Sequence, residues 1–335
     1  MRFLIAGLGS IGRRHLRNLL SLGQADIILL RSQSDYPPDD ELKAFPVVTD
    51  MDAALQYKPD AVIVSNPTAL HLKVAIPAAK AGCHLLLEKP VSHSMQGVDE
   101  LRSAVKRGGG SVLVGFQFRF HPSLSKIMQI LSDRQIGRVL TCRSHWGEFL
   151  PGWHPQEDYR TGYSARKDLG GGVVLSLCHP LDYLHWMFGT VNELTAVTGK
   201  LSDLEIEVED TAEVILNFHS KTIVSLHLDY IQQPPSHNLE VIGTDGCIRW
   251  NFTDGIVHLY QNANKQWIQF PLKEGFSRND LFLEEMRHFI YCVEGSQKPV
   301  CTLDDGIYAQ CLIEAVYLSS LQSCMVKVDQ DGRIG

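Results

Sequence analysis

Arg2-Phe3-Leu4-Ile5-Ala6-Gly7-Leu8-Gly9-Ser10-Ile11-Gly12, at the start of the chain, decides the reading of the fold. An apolar run without polar alternation suits a strand covered on both faces, as in a parallel sheet flanked by helices. It runs straight into Gly-x-Gly-x-x-Gly, and Arg13 to Leu22 then shows helical apolar spacing. In a strand, glycine loop and helix each glycine has its own task. The first makes the tight turn, the second lets backbone approach a pyrophosphate, and the third lets helix and strand pack closely. The helix amino terminus then faces the phosphates. A dinucleotide is therefore expected on Gly7, Gly9, Ser10, Ile11, Gly12 and Arg13.

The second strand reads as Asp26 to Leu30. Its end, about 20 residues beyond the glycines, is where an acid ordinarily holds the ribose hydroxyls. Arg31 and Ser32 stand there instead. A guanidinium beside a hydroxyl suits a 2′-phosphate, so NADP is favoured over NAD. The alternatives are a solvated Arg31, or a loop that folds the nearest acid, Asp35, back to the ribose. A polar stretch containing Pro37-Pro38 leads to Val47-Val48 and reads as a loop. Ala61 to Ser65 is a further unbroken apolar strand, Asn66-Pro67-Thr68 ends it, and His71 to Ala81 returns to helical spacing.

Gly82-Cys83-His84-Leu85-Leu86-Leu87-Glu88-Lys89-Pro90 repeats the pattern with a difference: the apolar run ends in a carboxylate, an ammonium and a proline. Ligands of parallel sheets bind beyond the carboxyl ends of the strands, where Glu88 and Lys89 would stand. A lysine partly desolvated beside a carboxylate can donate to a substrate oxygen or pass a proton. Its plain alternative is an ion pair closing a strand. Gly115 to Phe118 reads as the last strand of this half, and Arg119-Phe120-His121-Pro122 marks the crossing, giving domains of 1–118 and 119–335.

Beyond a helix near 123–132 the period changes to two. Ala212, Val214, Leu216 and Phe218 alternate with polar residues, as do Val224, Leu226, Leu228 and Tyr230 after a turn at Ser220-Lys221. Further strands are expected near 139–149, 191–199, 238–252, 255–260 and 266–270, forming a large, mostly antiparallel sheet with one free face. Set into it, Gly170-Gly171-Gly172 precedes an apolar helix that carries His179 and Asp182. Three residues apart, these side chains share a helix face, and an imidazole oriented by a carboxylate is a usable acid/base near neutral pH. Just upstream, Arg160, Tyr163 and Arg166 mix an aromatic ring with cations; they suit a substrate carboxylate or phosphate, or else an ordinary solvated loop.

Composition narrows the field. With 335 residues and 44% hydrophobic content the chain can bury two cores. A net charge of −7 without a basic block argues against nucleic acid or an anionic membrane as partner. The eight cysteines are scattered singly, without zinc spacing, so neither a disulfide framework nor a metal is expected, and a reducing, cytoplasmic setting fits. Glycines interrupt the first apolar run too early for a signal peptide, and no run of about 18 apolar residues is present to span a bilayer.

Together these residues resemble the Gfo/Idh/MocA oxidoreductases, the glucose-fructose oxidoreductase and inositol dehydrogenase group, over nearly the full length. The carriers are Gly7 to Gly12, Asn66-Pro67 with His71, the stretch ending Glu88-Lys89-Pro90, Arg119-Phe120, Gly170 to Asp182, and Gly243-Thr244-Asp245-Gly246. The resemblance implies an α/β chain: an N-terminal Rossmann domain, then an α/β domain whose open sheet builds a homodimer or homotetramer. It implies tightly held NAD(P) and a sugar, inositol or related polyol as substrate. Lys89 matches the motif lysine beside the nicotinamide, His179 the usual acid/base, and Asp182 the acid three residues on. Asn66, Pro67, His71 and Glu88 then belong to the cofactor side, and Arg119 to the substrate side. Many members carry an aspartate four residues before the histidine, where this chain has Leu175 with Ser176 as polar neighbour. The expected activity is hydride transfer between nicotinamide and a hydroxyl or ketone carbon. Its rivals are a non-catalytic dinucleotide-dependent sensor or scaffold, and a net non-redox sugar-modifying enzyme with bound NAD.

Overall fold

The computed structural model describes residues 1–31 and 41–335, so Ser32, Asp35 and the Pro37-Pro38 pair lie outside the described residues. The chain forms two units, Met1–Gln117 with Ser277–Ile307, and Phe118–Phe276 with Tyr308–Gly335.

In the first unit β1 (Phe3–Ala6), α1 (Ser10–Ser21), β2 (Ile27–Leu30), β3 (Val47–Val48), α2 (Met51–Gln56), β4 (Ala61–Val64), α3 (His71–Lys80), β5 (His84–Glu88), α4 (Val98–Gly108) and β6 (Val112–Gly115) follow one another. The sheet is parallel, in the order β3-β2-β1-β4-β5-β6. Every residue of β1, β2, β4 and β6 is buried, as the unalternated apolar runs require. The order reverses between β1 and β4, and the glycine loop follows β1 there, at the switch point where nucleotides bind such sheets.

The second unit contains α5 (Pro122–Ser132), β7 (Val139–Gly147), α6 (Val173–Ser176), α7 (His179–Phe188), β8 (Val191–Gly199), β9 (Thr211–Phe218), β10 (Ile223–Asp229), β11 (Ser236–Gly243), β12 (Gly246–Asn251), β13 (Val257–Gln261) and β14 (Gln266–Phe270). After α8 (Arg278–Val293) and α9 (Leu303–Gln322), β15 (Val326–Lys327) completes a nine-stranded sheet ordered β14-β13-β12-β11-β7-β10-β9-β8-β15. Its pairs are antiparallel except β7 with β10. The later part of α9 braces β8: the Ala196 N–H donates to Ser319 Oγ (2.9 Å) and the Val191 N–H to Tyr308 Oη (2.8 Å).

Three expectations change. The last strand of the first half is Val112–Gly115, ending where Gly115 to Phe118 was expected to begin, and Gln117–Phe120 forms a short 3-10 helix. The division is not two contiguous halves at 118/119, because residues 277–307 return to the first unit. A parallel sheet needs helices over both faces, and α8 supplies one, burying Leu281, Phe282, Met286, Phe289 and Ile290. Against α1, the Phe282 ring meets His15 edge-on at 6.4 Å and carries the Arg14 guanidinium 4.4 Å from its centroid. The single helix expected after Gly172 is two, α6 and α7. Pro180 has no N–H to continue the first helix and its ring conflicts with the carbonyl four residues back, but it is tolerated in the first turn of a new one. Among the described residues no helix is long and apolar enough to cross a membrane.

Candidate functional site

The first unit presents the glycine loop at the carboxyl end of β1. Gly7 has φ +97°, and a Cβ on it would meet the Asn66 backbone; one on Gly12 would strike the Gly7 carbonyl. Those two glycines serve the protein's own packing. Gly9 differs, since a Cβ there would meet nothing within 4 Å. It is also the N-cap of α1, with no capping side chain and no acid in the first turn. Open space beside uncapped N–H groups at a helix start fits a pyrophosphate. Ser10 is exposed and Ile11 half-buried on the same turn. Arg13 donates through Nε to the Leu8 carbonyl (3.1 Å) and faces Glu41 (3.4 Å), which also pairs with Arg17 (2.6 Å). Arg31 follows β2 directly, its N–H held by the Val48 carbonyl (3.0 Å).

The other motif residues of this unit are woven together beneath the loop ends. Asn66 donates through Nδ2 to the Leu70 carbonyl (3.0 Å), and its Oδ1 is buried without a hydrogen-bond partner among the described residues. His71 is 1% exposed and its ring spans two loops, with Nδ1 2.9 Å from the Pro90 carbonyl and Nε2 3.0 Å from the Asn66 carbonyl. Burial holds its pKa below the usual value, and the neutral ring carries one N–H, which donates to one of the two carbonyls according to the tautomer. His71 thus ties the Asn66-Pro67 turn to the Lys89-Pro90 turn. Glu88 also points inward: Oε1 is 2.7 Å from His15 Nε2, and Oε2 accepts the Lys89 backbone N–H at 3.3 Å. Burial opposes its ionisation, yet the hydrogen bond from His15 and the charges of His15, Lys89 and His71 hold it below the usual carboxylate range.

In the second unit His179 begins α7 and is 2% exposed. Phe118 meets it edge-on at 5.0 Å and Trp146 stacks against it at 5.6 Å. The other face of this aromatic group is His237, parallel to Trp146 at 4.3 Å. Tyr183 Oη lies 2.7 Å from Ser144 Oγ and 3.2 Å from His237 Nε2. Asp182 takes Arg119 in a fork, with Nε to Oδ2 at 3.0 Å and Nη2 to Oδ1 at 2.7 Å. The expected substrate-side Arg119 and the expected imidazole-tuning Asp182 therefore form one buried ion pair. Arg160 is bound by Asp158 and Glu205 (2.8 Å each), and Arg166 by Asp168 (2.6 Å), all at exposed positions. Tyr163 is 38% exposed beside them. The glycines before α6 admit protein rather than ligand: a Cβ on Gly171 would meet the Tyr163 and Ser164 carbonyls, and one on Gly172 the Glu209 carboxylate.

Sequence reasoning missed His15, Glu285 and the Trp146–His237–Tyr183 group. His15 carried a faint signal, a polar residue on the inward stripe of α1. The aromatic group had none, because its members come from three elements far apart in the chain.

Comparison with known proteins agrees with this geometry. Residues 1–116 match the oxidoreductase family's NAD-binding Rossmann fold, and residues 129–328 its C-terminal alpha/beta domain. Myo-inositol 2-dehydrogenase of Thermotoga maritima is 27% identical over 98% of this chain and 99% of its own. D-glucoside 3-dehydrogenase of Escherichia coli is 24% identical over 79% and 78%. Among solved structures, levoglucosan dehydrogenase in complex with NADH and L-sorbose superposes with a TM-score of 0.88 at 16% identity, covering 99% of this chain and 100% of that one. GenD2 from gentamicin A biosynthesis in complex with NAD gives 0.82 at 24% identity, covering 98% and 96%. On two matched domains that together span most of its length, the chain belongs to the Gfo/Idh/MocA family of oxidoreductases.

Proposed function

We propose that the protein is an NAD(P)-dependent dehydrogenase acting on a CH–OH group of a sugar, inositol or related polyol. The observation that carries this reading is the open Gly9 turn at the start of α1 in the same unit as Lys89, at the carboxyl end of β5. The bound nicotinamide supplies the hydride acceptor or donor. Lys89 polarises the reacting oxygen, and His179 takes the hydroxyl proton as the carbon is oxidised, returning it in reduction. The aromatic rings around His179 fix the imidazole plane and keep water from it. Arg119 and Asp182 anchor the start of α7, so their part is to hold His179 in place.

The preference for NADP rests on Arg31. It directly follows β2, where the ribose end of a bound nucleotide is expected, and a guanidinium there suits a 2′-phosphate. Assembly through the open sheet face rests on its side-chain rows. Ile223, Thr141, Ile242, Cys247, Tyr260 and Trp267 succeed one another across six strands, and Ile215 and Ile223 are about half exposed. Such a row suits a second copy of the chain. A reducing compartment fits eight free cysteines.

The test follows nicotinamide absorbance over a panel of sugars and inositols. With the substrate found, Lys89→Ala and His179→Ala each lower kcat by roughly 10²–10⁴-fold while cofactor affinity holds. Wild-type turnover in both variants overturns the assignment.

A further inference from the structure

Behind Lys89 lies a buried cluster that the proposed chemistry does not use. His15 from α1, Glu88 at the end of β5 and Glu285 from α8 each offer a ligating atom, all within 4.8 Å of one another. His15 and Glu285 are 0% exposed and Glu88 7%. Glu88 is fully employed by His15 and the Lys89 backbone N–H, and its carboxylate packs on Gly115, where a Cβ would come within 3.1 Å of Oε2. Glu285 is the anomaly: both carboxyl oxygens are buried without a hydrogen-bond partner among the described residues.

Two carboxylates this close in a low-dielectric interior cannot both be ionised unless a cation lies between them. Glu88 has counter-charges in Arg14 of α1 and Lys89, and a hydrogen-bond partner in the His15 ring. Among the described residues Glu285 shares this cluster with Glu88 and His15, and the charge that acts on it is that of Glu88. The proton therefore resides on Glu285, and burial followed by the Glu88 charge pushes its carboxyl well above the usual range.

We propose that Glu285 is a positioning residue for Lys89: as a neutral acid it leaves Glu88 the single anion of the cluster, and that one charge sets the electrostatic environment of the lysine. Losing the Glu285 proton at alkaline pH adds a second anion behind Lys89 and makes its ammonium harder to deprotonate. The inference rests on the dehydrogenase reading only for its consequence in turnover.

The experiment uses the full chain, wild type against Glu285→Gln, which keeps the shape and has no proton to lose. Infrared spectra of wild type at neutral pH are expected to show a buried carboxylic-acid carbonyl band that disappears in the variant. Reductive ¹³C-methylation followed by NMR titration, with the Lys89 signal assigned by its loss in Lys89→Met, is expected to show a lower Lys89 midpoint in Glu285→Gln. On an active substrate, the variant-to-wild-type ratio of kcat/KM is flat at neutral pH and steps to a different plateau in the alkaline range, where only wild type ionises at this position. Absence of the band, an unmoved Lys89 midpoint, or one divalent metal per chain by elemental analysis overturns the proposal. Failure of every substrate with the band and midpoint as expected overturns the dehydrogenase reading alone.

Discussion

Removing the Asp182 carboxylate is the sharpest test of how His179 is held. Asp182 and Arg119 have side chains only 1% and 3% exposed, and the guanidinium meets both carboxylate oxygens at 2.7–3.2 Å. Asp182→Ala leaves a guanidinium buried without its counter-ion, which costs about 3–5 kcal/mol. Against a total stability of roughly 5–15 kcal/mol this is a large fraction. At about 2–4 °C per kcal/mol for a unit of this size, the second unit should unfold roughly 6–20 °C earlier. Thermal unfolding by circular dichroism measures it, and the double substitution Arg119→Met with Asp182→Leu, which removes both charges, should recover most of the loss. Asp182→Asn separates anchoring from chemistry. If the pair is an anchor, kcat and unfolding temperature fall together. A variant whose kcat collapses while Asp182→Ala unfolds within about 2 °C of wild type would refute the anchoring argument and return Asp182 to the imidazole.

Three further outcomes are expected. Gly9→Ala should leave the unfolding temperature unchanged, because nothing lies within 4 Å of its Cβ, yet weaken nucleotide binding in calorimetric titration; Gly12→Ala should lower the unfolding temperature, because its Cβ meets the Gly7 carbonyl. Arg31→Asp should reverse a preference for NADP(H) over NAD(H), changing relative affinity by roughly 10- to 150-fold, the worth of one charge-assisted hydrogen bond of about 1.5–3 kcal/mol; wild type that binds NAD(H) at least as tightly defeats the reading. On the open sheet face, His227 is held above its ordinary pKa, first by the hydrogen bond to Asp229 (2.8 Å) and also by Glu213 (2.6 Å). Its stabilisation is complete below an unfolded pKa of about 6.5 and fades as pH rises through the raised folded value, so His227→Gln should lower the unfolding temperature more at pH 6 than at pH 9.

The sequence by itself determined the parts whose causes are local. Unalternated apolar runs ended by glycine or proline could only be covered strands, and β1, β4 and β5 stand where Arg2–Ala6, Ala61–Ser65 and Gly82–Pro90 were read. Period-two alternation likewise placed β9 and β10, because one face of that sheet meets helices and the other does not. The glycine loop was legible for the same reason: each glycine answers to a neighbour a few residues away or to the ligand. Tertiary structure decided what depends on partners far along the chain. Arg119 read as a substrate ligand, and Asp182, 63 residues on, takes its Nε and Nη2 in a buried ion pair. Arg160 and Arg166 read either as anion binders or as part of a solvated loop, and only the packed chain shows their exposed ion pairs with Asp158, Glu205 and Asp168. His71 read as a cofactor-side residue, and only the packed chain shows its enclosed ring lying between the Pro90 and Asn66 carbonyls of two loops. Glu285, nearly 200 positions from Glu88, was one acid on an ordinary helix until α8 folded back against α1. Burial is a property of the packed chain, and it alone turns a carboxylate into a neutral acid.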